Sequence, residues 1–489
     1  MPKKQLICAE HIVVNFGEQK VLDFDRFYVY EGEKIGLVGV NGAGKTTLLR
    51  VLAGELEPDA GKVEISCDPF FFRQFSEEVP DWELDGKEVS DMGVRDKIWQ
   101  EHVSGGEDTR IRLAQMFGSR RGITFLDEPT ANLDVKGIRR LKEKIKEIDT
   151  LILISHDRAL LNEVCTRIVE VSFGKLKSYD GNYEDYMIQK EQEKNREWAE
   201  YENYTAEKKR LEKIYVAKKE KARSIERKPK NISSSDAKDI NFGGKRKIED
   251  KARSMENSAK NVKKRIEHME VKEKPREIPK IRPDFRLTEP PENRIIISSE
   301  HLDFSYEDGT EIFRDASFQI ANKSHVAIVG ENGAGKTTLL HLIRDRQQVH
   351  VVPRANIGIF EQNLETLDYE KTVLQNVMDV SIQKEEVART ILSRLLLSAE
   401  DMSKKAGVLS GGERIKLAFA KLFVSKANVL VLDEPTNFLD IPSVEALEQL
   451  FSEYEGTLVF VSHDEAFIRA VATDILIVRD KEIERYYGK

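Results

Sequence analysis

The amino-acid sequence predicts an α/β protein made of two copies of one domain, joined by a long antiparallel α-helical hairpin. Three observations carry this. The run Gly39-Val-Asn-Gly-Ala-Gly-Lys45-Thr46 recurs as Gly330-Glu-Asn-Gly-Ala-Gly-Lys336-Thr337. Each copy follows a strand-like apolar run, Lys34 to Val38 or His325 to Val329, and opens an apolar segment compatible with a helix. Between the copies lies a stretch of different composition, Met187 to Asp284, with 29 Lys/Arg against 19 Asp/Glu. Its net charge is +10 in a chain of net −8, so the remainder carries −18. The expected boundaries are a first domain at 1–186, the hairpin at 187–284 with its tip near 229–246 and the start of a Pro-rich return strap, and a second domain at 285–489.

A chain of 489 residues, 40% hydrophobic and 34% charged, can bury large cores. Apolar runs such as Ile35 to Val40 and Val429 to Leu432 are far too short to cross a bilayer. The start Met1-Pro2-Lys3-Lys4 leads into no signal-peptide core, so secretion is not expected. Cys8, Cys67 and Cys165 have no paired spacing, which argues against a disulfide framework, a zinc site or an iron–sulfur cluster. A reducing cytoplasm is the expected compartment.

The glycine-rich runs have the context of a phosphate-binding loop. Gly39, Gly42 and Gly44, like Gly330, Gly333 and Gly335, let backbone N–H groups turn inward on phosphates, and the helix N-terminus adds positive potential. Lys45 and Lys336 would reach the β- and γ-phosphates, and Thr46 and Thr337 would hold a magnesium ion. Asn41, Thr47, Asn332 and Thr338 complete the two candidate cradles.

Further motifs follow in the same order in both copies. Ser104-Gly105-Gly106-Glu107 recurs as Ser410-Gly411-Gly412-Glu413, Ile123-Thr-Phe-Leu-Asp127-Glu128 as Val429-Leu-Val-Leu-Asp433-Glu434, and Ser155-His156-Asp157 as Ser462-His463-Asp464. The offsets are 306, 306 and 307 residues, but only 291 between Lys45 and Lys336. The first copy is therefore expected to have a trimmed helical subdomain between its phosphate loop and its Ser-Gly-Gly motif. A carboxylate directly after a buried strand can orient a water for in-line attack, and phosphoryl transfer needs little else besides positioning and charge. Glu128, Glu434, His156 and His463 are the candidate catalytic residues.

These residues resemble the nucleotide-binding domain of the ABC ATPases across nearly all of both halves. Leu409-Ser-Gly-Gly-Glu413 looks like the ABC signature, with Val103 in place of the usual Leu in the first copy. The resemblance implies ATP and Mg2+ as ligands, with Asp127 and Asp433 acting through the metal. It implies that Glu128 and Glu434 polarise the attacking water and that His156 and His463 sense the γ-phosphate. Gln74 and Gln362, each just after an aromatic strand, match the family's Gln loop near the metal, and Asp134 and Asp440 match its D-loop. Phe16 and Tyr306 stand where the family stacks an aromatic on adenine, although packing is the alternative for Phe16. In this family each site combines one phosphate loop with the other copy's signature. Lys45, Glu128 and His156 would then face Ser410 and Gly412, while Lys336, Glu434 and His463 would face Ser104 and Gly106.

The hairpin has its own pattern. Ile248, Ala252, Met255, Ala259, Val262, Ile266 and Met269 recur at steps of 4 and 3, the period of a helix packed along one partner. Tyr201, Tyr204, Leu211, Tyr215, Ala222 and Ile225 give a looser match, with Lys208 and Lys218 as interruptions. A helix of about 35 residues would reach ~50 Å. From Lys208 to Arg265 there are 21 Lys/Arg against 8 Asp/Glu, a density drawn to RNA phosphates, although a solvated spacer is the bland alternative. Arg223, Arg227, Lys228, Lys245, Arg246 and Lys247 are the expected contacts, and Phe242 either stacks on a base or pins the turn.

Two ATPase halves in one chain, the basic linker and Tyr179-Asp-Gly-Asn-Tyr183-Glu-Asp-Tyr186 together resemble the ABC-F proteins, which act on the ribosome. The short Gln74-to-Ser104 gap and the stop at Lys489 look most like the antibiotic-resistance group. That resemblance implies a monomer that binds the 70S ribosome at the tRNA exit site, near 23S rRNA and P-site tRNA. It implies protection against lincosamide, streptogramin A and pleuromutilin drugs, with no membrane or transmembrane partner. A housekeeping translation factor of the same family is the alternative. An importer ATPase subunit or a DNA-repair ATPase would lack such a linker or would carry zinc cysteines.

Overall fold

Short apolar runs such as Lys34–Val38, Leu151–Ile154 and Thr457–Val461 form the central parallel strands. The computed structural model describes residues 4–486 apart from 18, 73–104, 119–121, 131, 132, 134, 227–243, 276–281 and 361–365. In the first half, β1 (Gln5–Phe16), β2 (Gln19–Tyr30) and β4 (Ala60–Ile65) make an antiparallel sheet in the order β2-β1-β4. A second sheet takes β3 (Lys34–Val38), β5 (Pro69–Phe72), β6 (Ile123–Asp127), β7 (Leu151–Ile154), β8 (Arg167–Ser172) and β9 (Lys175–Asp180) in the order β5-β6-β7-β3-β8-β9. It is parallel except for the β8–β9 hairpin.

The second half repeats this with β10 (Ile295–Ser305), β11 (Glu311–Ala321), β12 (His325–Gly330), β13 (His350–Val351), β14 (Ile357–Phe360), β15 (Val429–Asp433), β16 (Thr457–Val461), β17 (Asp474–Arg479) and β18 (Glu482–Tyr486). The strand orders are β11-β10-β13 and β14-β15-β16-β12-β17-β18.

Parallel strands are buried on both faces, so their side chains feed two cores in alternation. Ile35, Leu37, Ile152 and Ile154 pack with the antiparallel sheet and helix Lys45–Leu52. Val38, Leu151, Leu153 and Ile168 belong to the other core, with Leu113, Leu141 and Leu161 from the helices of the opposite face. The second half divides alike: Val326, Ile328, Val459 and Val461 on one side, Ala327, Leu458 and Phe460 on the other. The latter core also takes Val373, Val377, Ile391 and Leu392 from helices Val373–Met378 and Glu385–Arg394. Those helices precede the second signature. The stretch of the first half expected to be trimmed, 73–104, lies outside the described residues.

The hairpin forms a separate compact unit, Met187–Glu277. Its first helix is longer than expected because it starts inside the tyrosine motif, running 44 residues from Tyr183 to Glu226, or ~66 Å. Asn182 and Asp185 cap it reciprocally: each backbone N–H donates to the other's side-chain oxygen, both at 3.0 Å. The rings of Tyr179 and Tyr186 meet edge to face with centroids 4.9 Å apart. The second helix spans Gly244–Glu267.

Within this unit the contacts run antiparallel: Lys272 with Glu200, Arg265 with Glu207, and Lys218 with Ser258. Leu211, Ala222, Ala252 and Ala259 are buried between the helices, while the other described seam positions are half-buried. Lys218, read as an interruption, belongs to the packed face, because its Nζ donates to Ser258 Oγ at 2.6 Å. Lys208 likewise lies over the Tyr204 ring, 5.8 Å from its centroid. The Pro-rich strap is tied to the second half by Arg282 with Glu453 and by the Asp284 backbone with Gln383. Among the described residues no helix is long and apolar enough to cross a membrane.

Candidate nucleotide sites

The strand order brings the chemistry together. β3, β7 and β6 are neighbours, so their carboxyl ends place the phosphate loop, Ser155-His156 and Asp127-Glu128 side by side. β12, β16 and β15 do the same for the second loop, His463 and Asp433-Glu434. One cleft of about 1820 Å³ runs past both loops.

Each loop is built around close approaches. Gly39 has φ 148°, and a Cβ on it or on Gly330 would meet the carbonyl of Val171 or Val478. Lys45 Nζ donates to the Gly39 and Val40 carbonyls at 2.8 and 3.1 Å; Lys336 Nζ donates to Gly330 and Glu331 at 3.0 and 2.9 Å. Thr46 Oγ1 donates to Asp127 Oδ2 at 2.9 Å, and Thr337 Oγ1 to Asp433 Oδ2 at 3.1 Å. A hydroxyl beside a carboxylate is an all-oxygen donor set of the kind magnesium takes.

Glu128 and Glu434 adopt φ 50° and 46°, left-handed backbone that costs a non-glycine residue ~1–3 kcal/mol. The same strain in both halves turns each carboxylate back toward the histidine segment. His156 N donates to Glu128 Oε2, and His463 N to Glu434 Oε2, both at 3.2 Å. His156 Nε2 stands 3.1 Å from Glu128 Oε1 but without hydrogen-bond geometry, so that buried oxygen has no donor among the described residues. An acceptor of this kind, on the wall that also carries Lys45, suits a water held for attack. Burial, reinforced by Asp127 and Asp433, pushes the Glu128 carboxyl up to about 8 and that of Glu434 to about 7. Burial, with Lys45 nearby, lowers His156 to about 4, which leaves its imidazole neutral. The residues fit a magnesium nucleotide in each half.

The two halves meet at the first loop. Asn41 N donates to Asp440 Oδ2 at 2.7 Å and Asn41 Nδ2 to the Phe438 carbonyl at 3.1 Å. A Cβ on Gly412 would lie 3.2 Å from Asn41 Nδ2, so the second signature abuts the first phosphate loop. Ser410 and Glu413 form a reciprocal capping box, so the signature is also the start of helix Gly411–Val424. Phe16 and Tyr306 line the cleft and are 53% and 46% exposed; Tyr306 Oη is 2.7 Å from Thr338 Oγ1.

Gln74, Gln362, Ser104, Asp134, Arg227, Lys228 and Phe242 lie outside the described residues. Gly105 and Gly106 begin helix Gly105–Gly118, and Lys245, Arg246 and Lys247 lie in the second hairpin helix. Arg223 is exposed on the first. Sequence reasoning missed the cross-half partners Arg158–Glu448 and Tyr183–Glu445. Opposite charges at the 306-residue offset, Lys142 against Glu448, were the available signal.

Two phosphate loops, each with an Asp-Glu strand end and a histidine, on α/β cores that meet loop to signature, define paired ATP-binding cassettes. The pattern of the ABC transporter family matches residues 22–93 and 313–437. The chain is 36% identical over 473 residues to the erythromycin resistance ATP-binding protein MsrA of Staphylococcus epidermidis, spanning 92% of this chain and 93% of that protein. It is 31% identical over 562 residues to ABC transporter F family member 5 of Arabidopsis thaliana, spanning 99% and 76%. It is 30% identical over 495 residues to the ribosome protection protein VmlR of Bacillus subtilis, spanning 99% and 88%. The chain belongs to the ABC-F family of ATP-binding cassette proteins and is an ATPase.

Proposed function

We propose that the protein is a cytoplasmic, ATP-dependent ribosome-binding factor. It enters the tRNA exit site of the 70S ribosome, protects translation from antibiotics of the peptidyl-transferase centre, and leaves on ATP hydrolysis. The observation that carries the reading is the helical hairpin between two ATPase halves, with 21 Lys/Arg against 8 Asp/Glu from Lys208 to Arg265. A rod of that charge is drawn to RNA backbone in a salt-dependent way, and the acidic remainder is not. The relatives named for erythromycin resistance and for ribosome protection support the same reading, and the chain spans 93% and 88% of them. The housekeeping alternative rests on longer relatives such as the Arabidopsis protein, of which the chain spans 76%.

In this reading Lys45 and Lys336 turn from their loop carbonyls to the phosphates, and the loop N–H groups orient the nucleotide. Phe16 and Tyr306 offer ring faces to the base. Thr46 and Asp127, and Thr337 and Asp433, together with Gln74 and Gln362, would hold a magnesium ion, which would neutralise phosphate charge. Glu128 and Glu434 accept a hydrogen bond from the attacking water, and His156 and His463 donate to the transferred group. Ser410 to Gly412 close the first site; Ser104 to Gly106 close the second.

The test replaces Ile240-Asn241-Phe242 with Gly-Ser-Gly. ATPase activity and ribosome co-sedimentation should stay within about twofold, while protection of in vitro translation falls at least about tenfold. Drug titrations with a lincosamide, a pleuromutilin and erythromycin read the class. Undiminished protection by this variant would move the housekeeping reading ahead.

A further inference from the structure

One arginine touches groups that belong to both nucleotide sites. Arg158 opens helix Arg158–Val164, whose capping residue Asp157 directly follows His156. Its Nη1 donates to Glu448 Oε2 at 3.0 Å, and its Nη2 donates to Glu448 Oε1. Both side chains are only 14% exposed. Nη2 also stands 3.9 Å from Asp464 Oδ2. Asp464 follows His463 and caps helix Glu465–Val471 through Ala466 N and Phe467 N. Glu448 lies on helix Ile441–Ser452, whose cap Asp440 accepts from Asn41 N in the first phosphate loop. The guanidinium therefore joins the His156 segment through its own backbone, the His463 segment through Asp464, and the first loop through the Asp440 helix. Its planar fork of donors suits two carboxylates at once.

Among the described residues the repeat carries this bridge once. The offset relating the two halves brings Glu465 to the place of Arg158 and Lys142 to the place of Glu448, with every sign reversed. Lys142 pairs inside its own half, 3.9 Å from Asp157 and 3.6 Å from Glu163. Glu465 pairs with Arg469 at 3.3 Å, again inside its own half. A contact serving only to hold the halves together would work equally well twice. This one is single and lies where the two histidine segments meet.

We propose that Arg158 is a positioning residue that couples the two ATP sites, so that the state of one sets the turnover of the other. The proposal rests on the assignment of His156 and His463 to separate sites. Moving Asp464 with its histidine pulls on a mostly buried, bidentate pair, and the pair moves the helix that backs the first loop. The two sites then share one equilibrium, which is what coupling requires.

The experiment measures steady-state ATPase rate against ATP concentration for the full chain and for Arg158→Ala, Arg158→Lys, Glu448→Gln and Glu434→Gln. The unaltered chain should show a Hill coefficient approaching about 2, the number of sites. Arg158→Ala and Glu448→Gln should each bring it to about 1, with Arg158→Lys between, because a lysine keeps the charge but not the fork. Glu448→Gln, which keeps the side-chain shape and one of the two accepted hydrogen bonds but not the charge, carries the test if Arg158→Ala fails to fold. A Hill coefficient of about 1 in the unaltered chain, or one unmoved in Glu448→Gln, overturns the coupling. If Glu434→Gln leaves turnover intact, the site assignment falls instead, and the coupling with it.

Discussion

Helices Val135–Lys146 and Ile441–Ser452 hold equivalent places in the two halves and carry opposite charge. The first contains Lys136, Arg139, Arg140, Lys142, Lys144 and Lys146 against Glu143 alone; the second contains Glu445 and Glu448 and no basic residue. By contrast, the phosphate loops differ only in Val40 against Glu331, and the strand-end carboxylates and histidines are the same in both copies. Residues stay alike where they face a ligand common to both sites. They diverge where one copy faces the other: Glu448 and Glu445 pair across the halves with Arg158 and Tyr183, while Lys142 pairs within its own half. A pair of copies keyed by opposite charges has one favoured mutual arrangement and rejects the one that sets like charges together.

That contrast can be broken first at the shared chemistry. Lys45→Ala and Lys336→Ala, made singly, should each lower ATP turnover by about 10²-fold or more, and by similar factors, because each removes the same phosphate contact. ATPase assays with nucleotide-binding measurements check this; a loss confined to one lysine would show that the repeated motifs are not chemically equivalent. A smaller effect is expected where the halves meet. Gly412→Ala places a Cβ 3.2 Å from Asn41 Nδ2 and 3.3 Å from the Phe438 carbonyl. It should slow turnover by about tenfold by holding the second signature away from the first loop. Unchanged turnover in this variant would mean that the two do not need to touch.

The difference between the regions also decides what could be read in advance. Phosphate chemistry constrains a few residue types at short spacing, so Gly39 to Thr46, Asp127-Glu128 and His156 were legible, as was their repetition. The seam of the second hairpin helix was legible because a period of seven is local. Lys218 was not, since its place on the packed face depends on Ser258, forty residues away. Asp440 was matched as a loop residue, but its grip on Asn41 spans 399 positions, and no local pattern encodes it. Arg158 and Glu448, 290 apart, each look like an ordinary surface charge until the fold brings them together. The left-handed backbone of Glu128 and Glu434 had no signal either, because residue type alone favours glycine or asparagine there.

In the proposed cycle ATP holds the protein on the ribosome and hydrolysis releases it. Its most direct test is co-sedimentation of the Glu128→Gln, Glu434→Gln double variant with 70S ribosomes in ATP. Loss of both carboxylates proposed to polarise the water should lower turnover by about 10²–10⁴-fold while leaving the phosphate loops in place. The account predicts that this variant stays bound to ribosomes through a chase that releases the unaltered chain. Dissociation at the rate of the unaltered chain, with ATP still bound, would contradict it.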